Sequence, residues 1–391
     1  GVSYYKLTLP GRIVAHRPLH PAVVELVPHL YDHGLRELAV RNGLAVPLPV
    51  EIDAPAAPEA SEVSPLPFFA PLTRAGAENR AKNENGPGPL VPFGGGKDST
   101  LTLSLLADDD PVALSIHPTP VQRRAAAAVG IPLVEMTRRL DPLLAQRTAE
   151  GGWNGHVPIT AINSAVSALV AALCGFDEVV MANERSAEEP TQFAYGNVPV
   201  NHQYSKTFRF EIALADALAP AGIRYWSAVR RWSELAIAGA LARRGSLRNA
   251  ILSCNRVFSL TDPDPDPTWC RNCAKCRFTF LSFAPFLTVD EAIEMFGGNL
   301  LDDPAQIEGV RALWSDKPFD CVGELAESAI ALDHLATRQG WRDTAVVKAL
   351  RDDAARVAGA SGTDLAALLT PAGEDRVPHD LVDRIDGALH A

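Results

Sequence analysis

Lysine is scarce in this chain: only seven of its 36 basic residues are Lys, so Arg supplies the general surface cation and each Lys draws attention. No apolar run approaches the roughly 18 residues of a membrane span, which excludes a helical membrane protein. The opening Gly1-Val2-Ser3-Tyr4-Tyr5-Lys6 has neither the basic start nor the long apolar stretch of a secretory signal, and its leading Gly suggests a trimmed chain. A cytoplasmic location is therefore expected. Positive charge is in deficit as well. A formal net charge of -11 gives no broad attraction to a phosphate backbone, so a nucleic-acid partner is not expected and a small-molecule substrate is. Cysteines are few, six in all, yet three fall within seven residues, which suits a metal or redox cluster better than a disulfide framework. What remains is ordinary: 391 residues, 47% hydrophobic and 21% charged, with a mean hydropathy of +0.01, enough for two to three domains of a soluble globular protein.

Residues 1–60 read as a small α+β preface, with strand-like Tyr4 to Leu9, helical Ala22 to Leu38 and strand-like Leu44 to Val50. Residues 61–89, rich in Pro, Gly, Asn and Glu, read as a linker or mobile loop. From 90 to 250, continuous apolar strands alternate with helices: Leu90 to Phe93, Asp98 to Ala107, Val112 to Ile116, Val121 to Val129, Ile131 to Met136, Thr160 to Leu173, Glu178 to Ala182, Ile223 to Val229 and Ser233 to Arg244. That alternation predicts an α/β domain whose parallel sheet is covered on both faces. A Cys-rich module at 251–288 and an Ala-rich helical region at 289–391 complete the chain; helices are expected at Val322 to Leu335 and Thr344 to Val357.

The most informative residues are Val91-Pro92-Phe93-Gly94-Gly95-Gly96-Lys97-Asp98-Ser99-Thr100, a strand passing through glycines into a helix. A helix start offers free N–H donors and partial positive charge, so phosphate is expected there. Lys97 is followed by Asp98 rather than Ser or Thr, so a Walker A loop does not fit. The segment resembles the S-G-G-x-D-S loop of the N-type ATP pyrophosphatases, with Gly94 in place of the first Ser. That resemblance implies a doubly wound parallel sheet of the PP-loop (HUP-like) type. It also implies ATP held by Phe93 to Ser99 and Mg2+ near Asp98. His117, at the end of the next strand, either faces the nucleotide or caps a loop.

Cys270, Cys273 and Cys276 repeat a two-residue spacing, and Cys254 precedes them. Four thiolates so spaced close a tetrahedron around a structural Zn2+, with an iron–sulfur cluster as the alternative. The arrangement also resembles the four-Cys zinc site of 7-cyano-7-deazaguanine synthase, of the same pyrophosphatase group.

Further segments resemble the ATP-dependent UDP-N-acetylmuramoyl-L-alanyl-L-glutamate epimerase family: Pro92 to Ser99, Val157 to Ser164, Asn183-Glu184-Arg185-Ser186-Ala187, Val200 to Lys206, Ser253 to Arg256, Trp269 to Arg277 and Lys317-Pro318-Phe319-Asp320-Cys321-Val322-Gly323. The resemblance covers roughly residues 90–335. It departs at Glu188-Glu189-Pro190-Thr191, where the family pattern runs Ser-Glu-Gly-Asn, so the acceptor can differ here. It implies that the protein adenylates the α-carboxylate of the terminal L-glutamate of a UDP-sugar dipeptide, inverts the α-carbon and hydrolyses the adenylate, releasing AMP and diphosphate. A base and an acid must then face the two sides of the α-carbon. His202, Tyr204 and Lys206 alternate and would share one side of an extended stretch. Cys321 is a further carrier if its pKa is lowered, or simply a small buried residue. Glu184 and Arg185 follow an apolar strand, suited to proton transfer or metal binding and to clamping a carboxylate; a surface ion pair is the alternative. Three other readings stay open: a tRNA- or deazapurine-modifying adenylating enzyme, a nucleotide sensor without turnover, and an amidotransferase with a separate ammonia-supplying subunit.

Overall fold

The inner strands of the main sheet are short and apolar on both sides, so successive residues divide between two cores. Leu90, Val112, Leu114, Val179 and Tyr225 pack on one face, with the helices Ile159–Cys174 and Phe208–Leu218. Val91, Ala113, Val180 and Trp226 pack on the other, with the helices Lys97–Leu105, Pro120–Val129 and Glu234–Ala242. These relations come from a computed structural model, which describes residues 1–55, 88–256, 267–315 and 318–390. The expected linker at 61–89 lies outside the described residues except for Gly88 and Pro89.

Among the described residues, nine strands are numbered in chain order: β1 Arg12–Val14, β2 Glu51–Asp53, β3 Leu90–Pro92, β4 Val112–Ile116, β5 Leu133–Met136, β6 Glu178–Met181, β7 Gln192–Ala194, β8 Val198–Val200 and β9 Arg224–Ser227. The main sheet has the order β5-β4-β3-β6-β9, every pair parallel. The chain enters at the centre with β3, moves outward through β4 and β5, then crosses to the other side of β3 for β6 and β9. The order reverses between β3 and β6, and a crevice opens at the carboxyl ends of strands where that happens. β7 and β8 form a separate antiparallel hairpin.

The preface differs from the sequence expectation. Tyr4 to Leu9 is no strand: Val2–Tyr5 is a helical turn, and the Tyr5 ring lies 4.3 Å from that of Tyr31. Leu44 to Val50 is irregular, because Pro47 and Pro49 remove two amide donors a strand would need. Parallel pairing instead joins β1 to β2. The expected helix is present as Pro21–Arg41, and its Leu26 reaches the sheet core. The C-terminal region is helical, including Leu325–Thr337 and Ala345–Ser361, and its last helix, His379–His390, returns Ile385 and Leu389 to the second sheet core.

Buried charge locks the elements around the crevice. Arg230, 3% exposed, pairs with the fully buried Glu211 at 2.7 Å, and its guanidinium also donates to the Lys206 carbonyl at 2.7 Å and the Glu184 carbonyl at 3.3 Å. Removing one partner strands the other charge in a low-dielectric interior. Arg230→Met is expected to lower the unfolding free energy by about 3–5 kcal/mol, measured by urea titration. Adding Glu211→Gln should recover more than half of that loss; no recovery would show that the two charges are not coupled.

Candidate active site at the carboxyl ends of β3 and β6

β3 runs into the glycine turn, and the helix Lys97–Leu105 starts there with Gly96 as a cap that brings no side-chain hydrogen bond. The first amides of that helix are therefore open to an anion. Gly95 sits at φ +72, and a Cβ there would come within 3.2 Å of Gln122 Cα; a Cβ on Gly96 would lie 2.8 Å from Ser253 Oγ. Gly95 demands glycine, while a side chain at Gly96 would have to displace the Ser253 hydroxyl. Position 94 has open space, so the family's Ser is absent without a steric reason.

Facing this turn is a cleft of about 370 Å3, the space required by a nucleotide-sized guest. Its walls include Phe93, Gly94, Gly96, Asp98 and Ser99 from the turn and Met181, Ala182 and Asn183 from the end of β6. Asn183 is 3% exposed and its Nδ2 has no hydrogen-bond partner, a buried donor left for a guest to satisfy. Asp98, Phe93, Gly94 and Gly96 are thus brought together at one cleft.

Lys97 does not line this cleft. Its Nζ turns back to Asp98 and Glu234, and these carboxylates, against the cost of burial, keep it an ammonium well above the usual lysine range. Burial pushes the Glu234 carboxyl up to about 8 although Lys97 opposes it. Glu327, fully buried and pushed up to about 7 by burial and by Glu324, accepts the Glu234 and Glu324 amides at 2.8 and 2.9 Å. Lys206 does line the cleft, and its Nζ stands 3.2 Å from the buried Glu184 carboxylate. Arg185 pairs with Glu324 at 3.0 Å and is half-buried.

The expected alternation at 202–206 breaks, because Tyr204–Lys206 is a single 3-10 turn whose side chains diverge by about 120° per residue. Tyr204 turns inward, its ring 4.7 Å from His33 and 6.3 Å from Phe210, and burial raises its hydroxyl pKa. His202 turns the other way, with Nδ1 2.5 Å from Glu37 Oε2. His117 is exposed, at φ +53, and accepts the Arg138 amide at 2.8 Å; it caps a loop rather than facing the cleft.

Cys321 joins His202. Burial alone would raise the thiol, but the Lys206 ammonium, a hydrogen bond with His202 and the Lys275 charge bring it down to about 6. Burial would in turn lower His202, but hydrogen bonds with Cys321 and Glu37 carry it up to about 9. A thiolate and an imidazolium therefore face each other near neutral pH. His156, its ring 4.3 Å from His202, is held neutral, at about 4, by burial and by the His202 charge. Glu37, His156 and His202 place donor atoms within 4.8 Å of one another, close enough to hold a metal ion, and Glu37 and His202 are hydrogen-bonded to each other.

The four cysteines 254, 270, 273 and 276 converge, their sulfurs all within 4.8 Å and those of Cys270 and Cys276 3.7 Å apart. A Zn–S bond of about 2.3 Å gives a tetrahedron edge of about 3.8 Å. Hydrogen bonds from Cys273 and Cys276 hold Cys254 far below the usual thiol range, so the cluster already favours a thiolate. The group can hold a metal ion. It also touches the glycine turn: the Leu252 amide donates to Gly95 O at 3.2 Å, and Asn255 Nδ2 donates to Asp320 Oδ1, beside Cys321, at 2.6 Å.

Sequence reasoning missed Glu37, His156, Glu234, Glu327, Ser253 and Lys275. Two of these carried a usable signal, Ser253 and Lys275, which stand inside segments quoted above; the others are joined to the site by long-range packing. Lys317 lies outside the described residues.

Such a site defines a class: α/β proteins that present a glycine turn and an open helix start to an anion at the switch point of a parallel sheet. The comparisons narrow it, and the chain belongs to the MurL family. The MurL N-terminal domain model matches residues 1–228 and the MurL C-terminal domain model matches residues 250–364. The chain is 40% identical to a UDP-N-acetyl-alpha-D-muramoyl-L-alanyl-L-glutamate epimerase of Salinispora tropica, across 98% of this chain and 81% of that protein. Proteins of the same name from a Micromonospora species and from Xanthomonas oryzae pv. oryzae are 40% and 37% identical, across 97% and 98% of this chain and 82% and 83% of theirs. No solved structure matches. No helix among the described residues is long and apolar enough to cross a membrane.

The Cys321 thiol gives a direct test of the electrostatics. Its thiolate fraction should rise with a midpoint near pH 6, so carbamidomethylation by iodoacetamide, followed at the Cys321 peptide by mass spectrometry, should be near its plateau by pH 7.5. His202→Ala should move that midpoint upward. A wild-type midpoint above 8 would show that Lys206 and His202 do not outweigh burial.

Proposed function

We propose that this chain is an ATP-dependent epimerase acting on UDP-N-acetyl-α-D-muramoyl-L-alanyl-L-glutamate, the compound in its relatives' names. The observation that carries the reading is the hydrogen-bonded Cys321–His202 pair beside Lys206, a cation that lines the cleft next to the glycine turn.

An α-carboxylate opposes loss of the neighbouring proton because its charge adds to that of the carbanion. In the proposed sequence a carboxylate oxygen attacks the α-phosphorus of ATP and the bond to pyrophosphate breaks. The mixed anhydride then has an acidic α-C–H. The open amides after Gly94 to Gly96, with Ser99, receive the departing pyrophosphate. Mg2+, held by Asp98, would supply charge neutralisation there. Arg185 suits a second carboxylate of the substrate, exchanging Glu324 for it.

Cys321 takes the α-proton, and His202, locked by Glu37, keeps that sulfur a thiolate between turnovers. The Lys206–Glu184 pair stands as the proton carrier for the other face of the α-carbon. Water hydrolyses the anhydride to the inverted acid and AMP. Residues 90–250 serve as a PP-loop pyrophosphatase domain in this reading, and the four cysteines as a structural zinc site: their sulfurs crowd more closely than the thiolates around a four-iron cube.

Incubation with ATP, Mg2+ and the substrate in deuterated water should yield AMP, pyrophosphate and deuterium at the glutamate α-carbon; inversion without AMP would reject adenylation. Cys321→Ala should cut deuterium uptake by about 10²–10⁴-fold while pyrophosphate is still formed. For kcat/KM, activity should rise with pH as Cys321 ionises near 6 and fall as His202 loses its proton near 9. A profile flat across pH 5–7 would remove Cys321 from the role of base.

A further inference from the structure

Three lysines lie at or beside the cleft, and two of them are already neutralised. Lys97 is held by Asp98 and Glu234 and does not line the cavity; Lys206 is held by Glu184. Lys275 lines the cavity and has no carboxylate partner among the described residues. A polyphosphate entering this space brings several negative charges, and a cation already paired with a carboxylate offers it little net attraction.

Lys275 comes from the cysteine module. It is the second residue of the helix Ala274–Phe283, whose cap is Cys273, and the Cys273 sulfur accepts the Cys276 amide at 3.4 Å. The Cys273 sulfur therefore ties down the backbone on either side of Lys275. The other arm of the module, Leu252 to Cys254, runs along the glycine turn and sets Ser253 against Gly96. Asn183, with its buried and unpaired Nδ2, lines the same cavity and marks it independently as the seat of a polar guest.

We propose that Lys275 is the pyrophosphate-facing cation of this site, and that the four-cysteine cluster presents it, with Ser253, to the β- and γ-phosphates of the nucleotide. The assignment deepens the nucleotide reading and rests on it. It gives the cluster a part in the chemistry: the four thiolates, when they hold an ion, would fix the helix start from which Lys275 meets the leaving group. The same charge also helps to draw the Cys321 thiol down.

Inorganic pyrophosphate with Mg2+, and AMP separately, are the probes, titrated calorimetrically into metal-loaded wild type, Lys275→Met and Lys275→Arg. Lys275→Met is expected to weaken pyrophosphate binding about 10–100-fold while AMP affinity changes less than about twofold, and Lys275→Arg should restore most of the loss. The metal-to-protein ratio should be the same in all three. Unchanged pyrophosphate affinity in Lys275→Met would overturn the assignment. So would parallel weakening of AMP or loss of the metal, since either would mark Lys275 as structural. Failure of the wild type to bind pyrophosphate or AMP would instead remove the nucleotide reading beneath it.

Discussion

The hydrogen bond from the Leu252 amide to the Gly95 carbonyl joins the two halves of the molecule at the point where chemistry is proposed. On one side is the sheet, whose order reverses between β3 and β6 and so leaves a crevice at its carboxyl edge. On the other is the cysteine module, which packs into the helical C-terminal core through Cys254, Trp269 and Cys276. A Cβ on Gly96 would meet Ser253 Oγ at 2.8 Å, so glycine there lets the second half wall the crevice made by the first, while Gly95, at φ +72, fits against Gln122.

Charge is handled locally in a chain that is acidic as a whole. Each buried cation near the crevice has a specific carboxylate: Lys97 has Asp98 and Glu234, Lys206 has Glu184, and Arg230 has Glu211. These pairs act chiefly as constraints, since ion pairs in a dry interior are costly to break and gain little by forming. Around Cys321 the balance tips, because the Lys206 charge, a hydrogen bond with His202 and the Lys275 charge together outweigh burial. The result is a thiol that ionises near 6 in the same neighbourhood as an imidazole that stays charged to about 9.

The strands β3, β4 and β6 and the helices between them were legible in the sequence, because apolar runs such as Val112 to Ile116 are bounded by helix caps and glycines. The glycine turn and the four cysteines were legible because their spacing is local. The preface was not: Tyr4 to Leu9 has the composition of a strand, but tertiary contact of Tyr5 with Tyr31 decides in favour of a helical turn. Three residues between 202 and 206 read as one face and instead separate, since one 3-10 turn replaces the extended stretch that the alternation implied. The inward turn of Lys97 and the partnership of Glu37 with His202 depend on residues far apart in the chain, which no local pattern encodes.

The central claim is that the glycine turn and the cysteine module together grip a nucleotide. A crystal structure of the metal-loaded protein with a non-hydrolysable ATP analogue and Mg2+ tests it most directly. The account predicts the β- and γ-phosphates over the amides of Gly94 to Lys97, between Ser253 and Lys275, with Asn183 Nδ2 bonded to the ligand. A nucleotide seated elsewhere, with that turn empty at saturating analogue, would contradict it.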